Sequence, residues 1–188
     1  SPELKSDRDI VLAAIDKIPI LIINTPYDFQ NTNSDIVLNA VTRNSEVLRY
    51  LPSQLQNNRE IVLAAVTQNG MTLRYASSDL RNDRDIVMAA ITQNGESLRY
   101  ASPDLRNDRE IVLGVVENNS YILQYLSPEL QNDREIVMAA VNNRGFALQY
   151  AENYQNDREI VLAAVNRNGN ALEFASPELQ NDREIVIA

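Results

Sequence analysis

One phrase recurs eight times along the 188 residues, and its regular return limits what the chain can fold into more than any other property. It first reads Asp7-Arg8-Asp9-Ile10-Val11-Leu12-Ala13-Ala14-Ile15, comes back altered from Asn33, and returns from Asn58, Asp83, Asp108, Asp133, Asp157 and Asp182. Measured on the acid of each copy (Asp9, Asp35, Glu60, Asp85, Glu110, Glu135, Glu159, Glu184), the spacings are 26, 25, 25, 25, 25, 24 and 25 residues. A second phrase, Leu-x-Tyr, falls between the copies at Leu48, Leu73, Leu98, Leu123 and Leu148, with Phe174 in place of Tyr in the last unit. A unit this short cannot bury its own apolar face, so stacked neighbours must share one core.

The first phrase has helix signals at both ends. In Asn82 to Gly95, Asn82 is placed to N-cap and Asp85, three residues on, to complete a capping box, while Asp83 and Asp85 suit the positive end of the helix dipole. Asn94-Gly95 is the expected stop, with Gly in the left-handed conformation, and Asn69-Gly70 and Asn168-Gly169 repeat it. The second phrase predicts a shorter helix over about Glu96 to Ala101, followed by Ser102-Pro103, where Ser can cap and Pro suits a first turn. The fold class is therefore all-α, an α-solenoid of tandem two-helix repeats. Residues 1–188 are expected to form one repeat domain of about seven helix pairs with an open C-terminal half-repeat. A leucine-rich or β-solenoid is the alternative, since Ile-Val-Leu also suits a strand; its Leu-x-x-Leu-x-Leu-x-x-Asn pattern is missing. The chain starts at Ser1-Pro2 and stops at Ile185-Val186-Ile187-Ala188 inside a motif completed elsewhere, so it is expected to be a piece of a longer protein.

The run Asn-Asp-Arg-Glu-Ile-Val-Leu-Ala-Ala-Val, then Asn-Gly, then Leu-x-Tyr-Ala-Ser-Pro-Glu-Leu resembles the tandem repeats of the domain of unknown function 4116, most cleanly from Asn57 to Ala188. The resemblance implies no catalytic residues. It does imply the setting of effectors secreted by intracellular bacteria such as Legionella, and hence a cytoplasmic location, in the host cytosol after secretion. Residues 16 to 34 depart from the pattern: Ile18-Pro19 replaces Asn-Gly, Asn24 stands for Tyr and Ser34 for Arg, which predicts a bent or altered first unit.

Composition narrows the chemistry. The chain has no His, Cys or Trp, so it lacks imidazole bases, thiolate nucleophiles and the usual zinc ligands. With 17 Lys and Arg against 26 Asp and Glu, its net charge of −9 weighs against phosphate backbones and acidic membranes. No apolar run reaches the roughly 18 residues of a membrane span. Stacking would line triplets such as Asp108-Arg109-Glu110 into ladders; helix capping and Arg–carboxylate pairs between repeats explain them better than a cation site. No metal or cofactor is expected. A catalytic pair would break the period, and these acids recur in every unit, so the chain is read as non-catalytic. The tyrosines of the second phrase, Tyr50, Tyr75, Tyr100, Tyr125 and Tyr150, are expected in the core between repeats, each hydroxyl reaching a turn carbonyl, with a stacking platform for bases or a carbohydrate as the alternative.

Positions that differ between repeats are candidates for partner contact. The residue after the Gly or Ser stop runs Glu46, Met71, Glu96, Tyr121, Phe146, Asn170, which makes Met71, Tyr121 and Phe146 candidate exposed apolar contacts, the two aromatics about 10 Å apart in adjacent units. The residue before the Tyr runs Arg49, Arg74, Arg99, Gln124, Gln149, Glu173. This gradient matches the halves, since residues 1–94 carry 9 basic and 11 acidic groups and residues 95–188 carry 8 and 15. Arg49, Arg74 and Arg99 would suit an acidic segment of a partner. The expected function is a protein–protein interaction or targeting scaffold; a ligand- or nucleic-acid-binding groove is the alternative, with nucleic acid disfavoured by the missing basic track. End-to-end self-association through Ile185 to Ala188 is a further expectation.

Overall fold

The computed structural model describes residues 3–188; Ser1 and Pro2, at the start on which the expectation of a longer protein partly rests, lie outside the described residues. The chain gathers into two compact units, one up to Ser102 and one from Pro103. Among the described residues there are helices and turns and no strand, which excludes the β-solenoid alternative.

Each repeat has three segments where two were expected. In the first unit the long helices are Arg8–Lys17, Ser34–Arg43, Arg59–Gln68 and Arg84–Gln93, each followed by a six-residue 3-10 helix: Pro19–Asn24, Ser45–Tyr50, Gly70–Tyr75 and Gly95–Tyr100. A third short turn of helix, such as Ser53–Gln56 or Leu80–Asn82, leads to the next repeat. The second unit repeats the order, with long helices Arg109–Val116, Arg134–Asn143 and Arg158–Arg167 and the opening turn Arg183–Val186. Its 3-10 helices are Ser120–Tyr125, Gly145–Tyr150 and Gly169–Phe174.

The N-cap lies one residue later than predicted. Asp83, not Asn82, accepts the amides of Asp85 and Ile86 at 3.0 and 3.1 Å, and Asn58, Asp108, Asp133, Asp157 and Asp182 do the same in their repeats. Asn82 is instead a bond between repeats, its side-chain oxygen accepting the Ser102 hydroxyl. The predicted left-handed stop is also absent: no described residue has a positive φ. Asn69 and Asn94 are extended, donate their backbone N–H to Ala65 and Ala90, and turn their side chains forward to accept the amides of Met71 and Glu96. One asparagine thus ends the long helix and caps the 3-10 helix. Gly70 after Asn69 and Gly145 after Arg144 serve packing, because a Cβ on Gly70 would lie 2.2 Å from the Ala90 carbonyl oxygen and one on Gly145 equally close to that of Ala164, whereas Gly169 after Asn168 has open space around it.

The core runs through each unit as columns. Ile61, Val62, Ala65 and Val66 of one helix, and the matching residues Ile86, Val87, Ala90 and Ile91 of the next, are buried, joined by Leu73 and Leu98 of the 3-10 helices. The altered first repeat keeps this stacking: Ile15 and Ile22 are fully buried, Arg8 bonds Asn33 and Asp35, and Arg43 pairs with Asp16 at 2.9 Å.

Candidate interaction surface

A 3-10 helix has three residues per turn, so residues i and i+3 eclipse. In Ser45–Tyr50 this puts Ser45 and Leu48 on the buried side and Glu46 with Arg49 on the outer side. The same geometry pairs Met71 with Arg74, Glu96 with Arg99, Tyr121 with Gln124, and Phe146 with Gln149. The two columns that vary most between repeats therefore share one face.

In the first unit this face is an arginine–tyrosine stripe. The Arg49 guanidinium lies 5.4 Å from the Tyr50 ring centre and 6.0 Å from that of Tyr75; Arg74 lies 4.6 Å from Tyr75 and Arg99 4.8 Å from Tyr100. These are cation–π distances. Tyr50 is 53% exposed and Tyr75 and Tyr100 are half-buried, which corrects the expected core role of the tyrosines. The core positions belong to the residues two and three places earlier, Leu48 with Val47, Leu73 with Thr72 and Leu98 with Ser97, all buried, and Tyr is the last residue of each 3-10 helix. The Tyr75 hydroxyl meets the Glu46 carboxylate at 3.3 Å rather than a carbonyl, and Arg74 approaches the same carboxylate at 3.8 Å. Met71 is partly exposed between Glu46 and Glu96.

In the second unit Tyr121 is 41% exposed with the Arg144 guanidinium 4.6 Å from its ring centre. Phe146 is half-buried and meets Phe174 of the next repeat edge to face, at 5.8 Å and 70°. Each aromatic thus has a partner from a neighbouring repeat.

The acid–arginine–acid triplets form the expected ladder. Arg59 donates to Asp83 at 2.9 Å and to Asp85 at 2.7 Å; Arg109 reaches Asp133 and Glu135, Arg134 reaches Asp157 and Glu159, and Arg158 reaches Asp182 and Glu184. The Asp83 and Asp133 carboxyls sit below the usual carboxylate range, held there first by the hydrogen bonds from Arg59 and Arg109, with partial burial opposing and the helix amides assisting. Arg59 and Arg109 are raised, first by the same hydrogen bonds. These acids are engaged in capping and pairing, and among the described residues no group of acids gathers as a metal site.

The sequence reasoning missed a polar cavity of about 360 Å³ in the second unit, lined by Gln124, Gln131, Asn132, Gln149, Tyr150 and Glu152 among others. Its signal was present as the one 24-residue spacing, between Glu135 and Glu159. No helix among the described residues is long and apolar enough to cross a membrane.

The model of a family described as "Domain of unknown function (DUF4116)" matches residues 33–81, 58–106, 108–154 and 157–188. The longest matches each span two of the 25-residue repeats. No curated protein and no solved structure matches the chain.

Proposed function

From the premise that the chain belongs to the DUF4116 family, we propose that it is a non-catalytic interaction module whose arginine–tyrosine face takes an acidic, extended segment of a partner protein. Arg49, Arg74 and Arg99 carry the proposal: three exposed cations in register on successive repeats, each held over a tyrosine ring. Stacking on the ring holds a guanidinium in place before a carboxylate reaches it, so less side-chain freedom is lost on binding. Met71 adds an apolar contact on the same face, and Tyr121 and Phe146 offer a second, aromatic contact in the other unit.

Glu46 and Glu96 lie beside Arg49 and Arg99 on this face, which suits a peptide with spaced acids better than the continuous phosphates of a nucleic acid. The acids that recur in every repeat cap helices and pair with arginines, which supports a non-catalytic role. The setting in a secreted effector at work in a host cytosol belongs to this proposal and rests on the family resemblance alone.

Fluorescence anisotropy with a labelled poly-glutamate peptide tests it. The triple variant Arg49→Ala, Arg74→Ala, Arg99→Ala is expected to weaken binding by about tenfold or more, equivalent to about 1.4 kcal/mol, and added salt to weaken the parent's binding. Equal binding by parent and variant, or none by the parent, overturns the proposal. The pair Tyr121→Ala, Phe146→Ala reports on the second contact separately.

A further inference from the structure

The cavity of the second unit lies at the break in the repeat. In the other turns that follow the second phrase a Ser precedes a Leu, which is buried at Leu55, Leu80 and Leu130. After Tyr150 the chain reads Ala151-Glu152-Asn153-Tyr154, one residue shorter, with neither Ser nor Pro and with Tyr154 in the Leu column. A 3-10 turn, Glu152–Tyr154, replaces the helical turn. Asn153 takes over the serine's bond to the preceding repeat by donating to the Asn132 side-chain oxygen, and the Tyr154 hydroxyl donates to the Asn132 carbonyl at 2.7 Å. The shortened turn leaves the space of about 360 Å³ open beside Tyr150.

The lining is specific in its chemistry. Gln124 and Gln149 occupy the column that holds arginine in the first unit, and each donates its side-chain N–H to the carbonyl three residues back, of Tyr121 and of Phe146, at 3.0 Å. Gln131 donates to the Leu123 carbonyl at 2.9 Å. Each amide is thereby oriented, with its Oε1 left as an acceptor and its second N–H as a donor. The Asn132 amide and the Tyr150 hydroxyl add donors, and the Tyr150 ring and Pro128 supply flat apolar walls.

No Arg or Lys lines the cavity, so no cation there offsets the charge of a phosphate or carboxylate; Glu152 is its one acid, too few for a metal ion. Oriented amides that both donate and accept complement groups that do the same, and a run of adjacent hydroxyls on a ring with an apolar C–H face is such a ligand. We propose that this cavity is a binding site for a neutral saccharide of one or two rings. Its volume lies at the small end of ligand pockets, of roughly 300 to 1,000 Å³. The site is in the other unit from the arginine–tyrosine face, so either proposal can fail alone.

Saturation-transfer NMR on the intact chain with glucose, maltose, cellobiose, N-acetylglucosamine and chitobiose tests the site. At least one sugar is expected to receive transfer on its ring protons. The same sugar should shift the side-chain amide signals of Gln124, Asn132 and Gln149, and its Kd should rise at least tenfold in Gln124→Leu, Gln149→Leu. Transfer to none of the five, or shifts that map elsewhere on the parent chain, would overturn the proposal. The parent's shift map decides the matter even where the double variant folds poorly.

Discussion

Glycine has opposite meanings at two positions of this chain. Gly70 sits where the 3-10 helix passes the next repeat, and a Cβ there would lie 2.2 Å from the Ala90 carbonyl oxygen. Gly114 stands in the long helix Arg109–Val116, exposed, with nothing within 4 Å of an added Cβ, in the column that holds Ala64, Ala89, Ala139 and Ala163 elsewhere. Gly70→Ala must push two repeats apart and is expected to cost about 1–3 kcal/mol. Gly114→Ala adds helix propensity and restricts the unfolded chain, and is expected to stabilise by about 0.5–1 kcal/mol. Ser45 and Ser120 occupy the Gly70 column in other repeats, so each must be accommodated by local shifts that the Gly70 repeat has not made. Urea unfolding of the two variants checks the signs; a neutral Gly70→Ala would show that the stack yields freely at every repeat.

At the level of the helix, the Asp N-cap does two jobs, accepting two amides of its own helix and the guanidinium of the repeat before. Both favour the carboxylate, which is why Asp83 and Asp133 titrate below the ordinary carboxylate range. Because the folded pKa is depressed, the stabilisation is complete above the unfolded value of about 3.9 and is lost as pH falls through the folded value. Asp83→Asn keeps the cap, as Asn58 does naturally, and removes the titrating group. Its unfolding midpoint should lie below the parent's at neutral pH and depend less on pH in the acid range; equal slopes would mean that the Arg59 pair adds nothing. The long helix and its acidic start were legible because capping residues, apolar run and stop recur in register. The position of the cap by one residue was not, since Asn82 and Asp83 are equally good cap types and only the Ser102 contact separates them. Nor was the 3-10 winding of Gly95–Tyr100, because six residues with one Leu and one Tyr fit an α-turn as well. That winding decides the candidate face: it sets Arg49 beside Glu46 and makes one surface of two columns that the sequence shows only as variable.

Across the chain as a whole, the cost of a substitution should follow its place in the stack rather than its residue type, because each repeat is held by its neighbours. The leading isoleucine of the long helix is the cleanest probe. Ile36, Ile61, Ile86, Ile111, Ile136, Ile160 and Ile185 are all at most 1% exposed, whereas Ile10 in the same column is 44% exposed. Local sequence does not explain the difference, since Arg8-Asp9-Ile10-Val11-Leu12-Ala13-Ala14 and Arg59-Glu60-Ile61-Val62-Leu63-Ala64-Ala65 are nearly the same. Ile61→Ala opens a cavity against two neighbouring helices and is expected to cost about 2–5 kcal/mol, while Ile10→Ala removes a side chain already half in water and should cost about 1 kcal/mol or less. Chemical denaturation of the two variants gives the comparison directly. Equal costs would mean that the first repeat contributes as much to the first unit as an inner one, and that neighbour contacts do not set the stability of this fold.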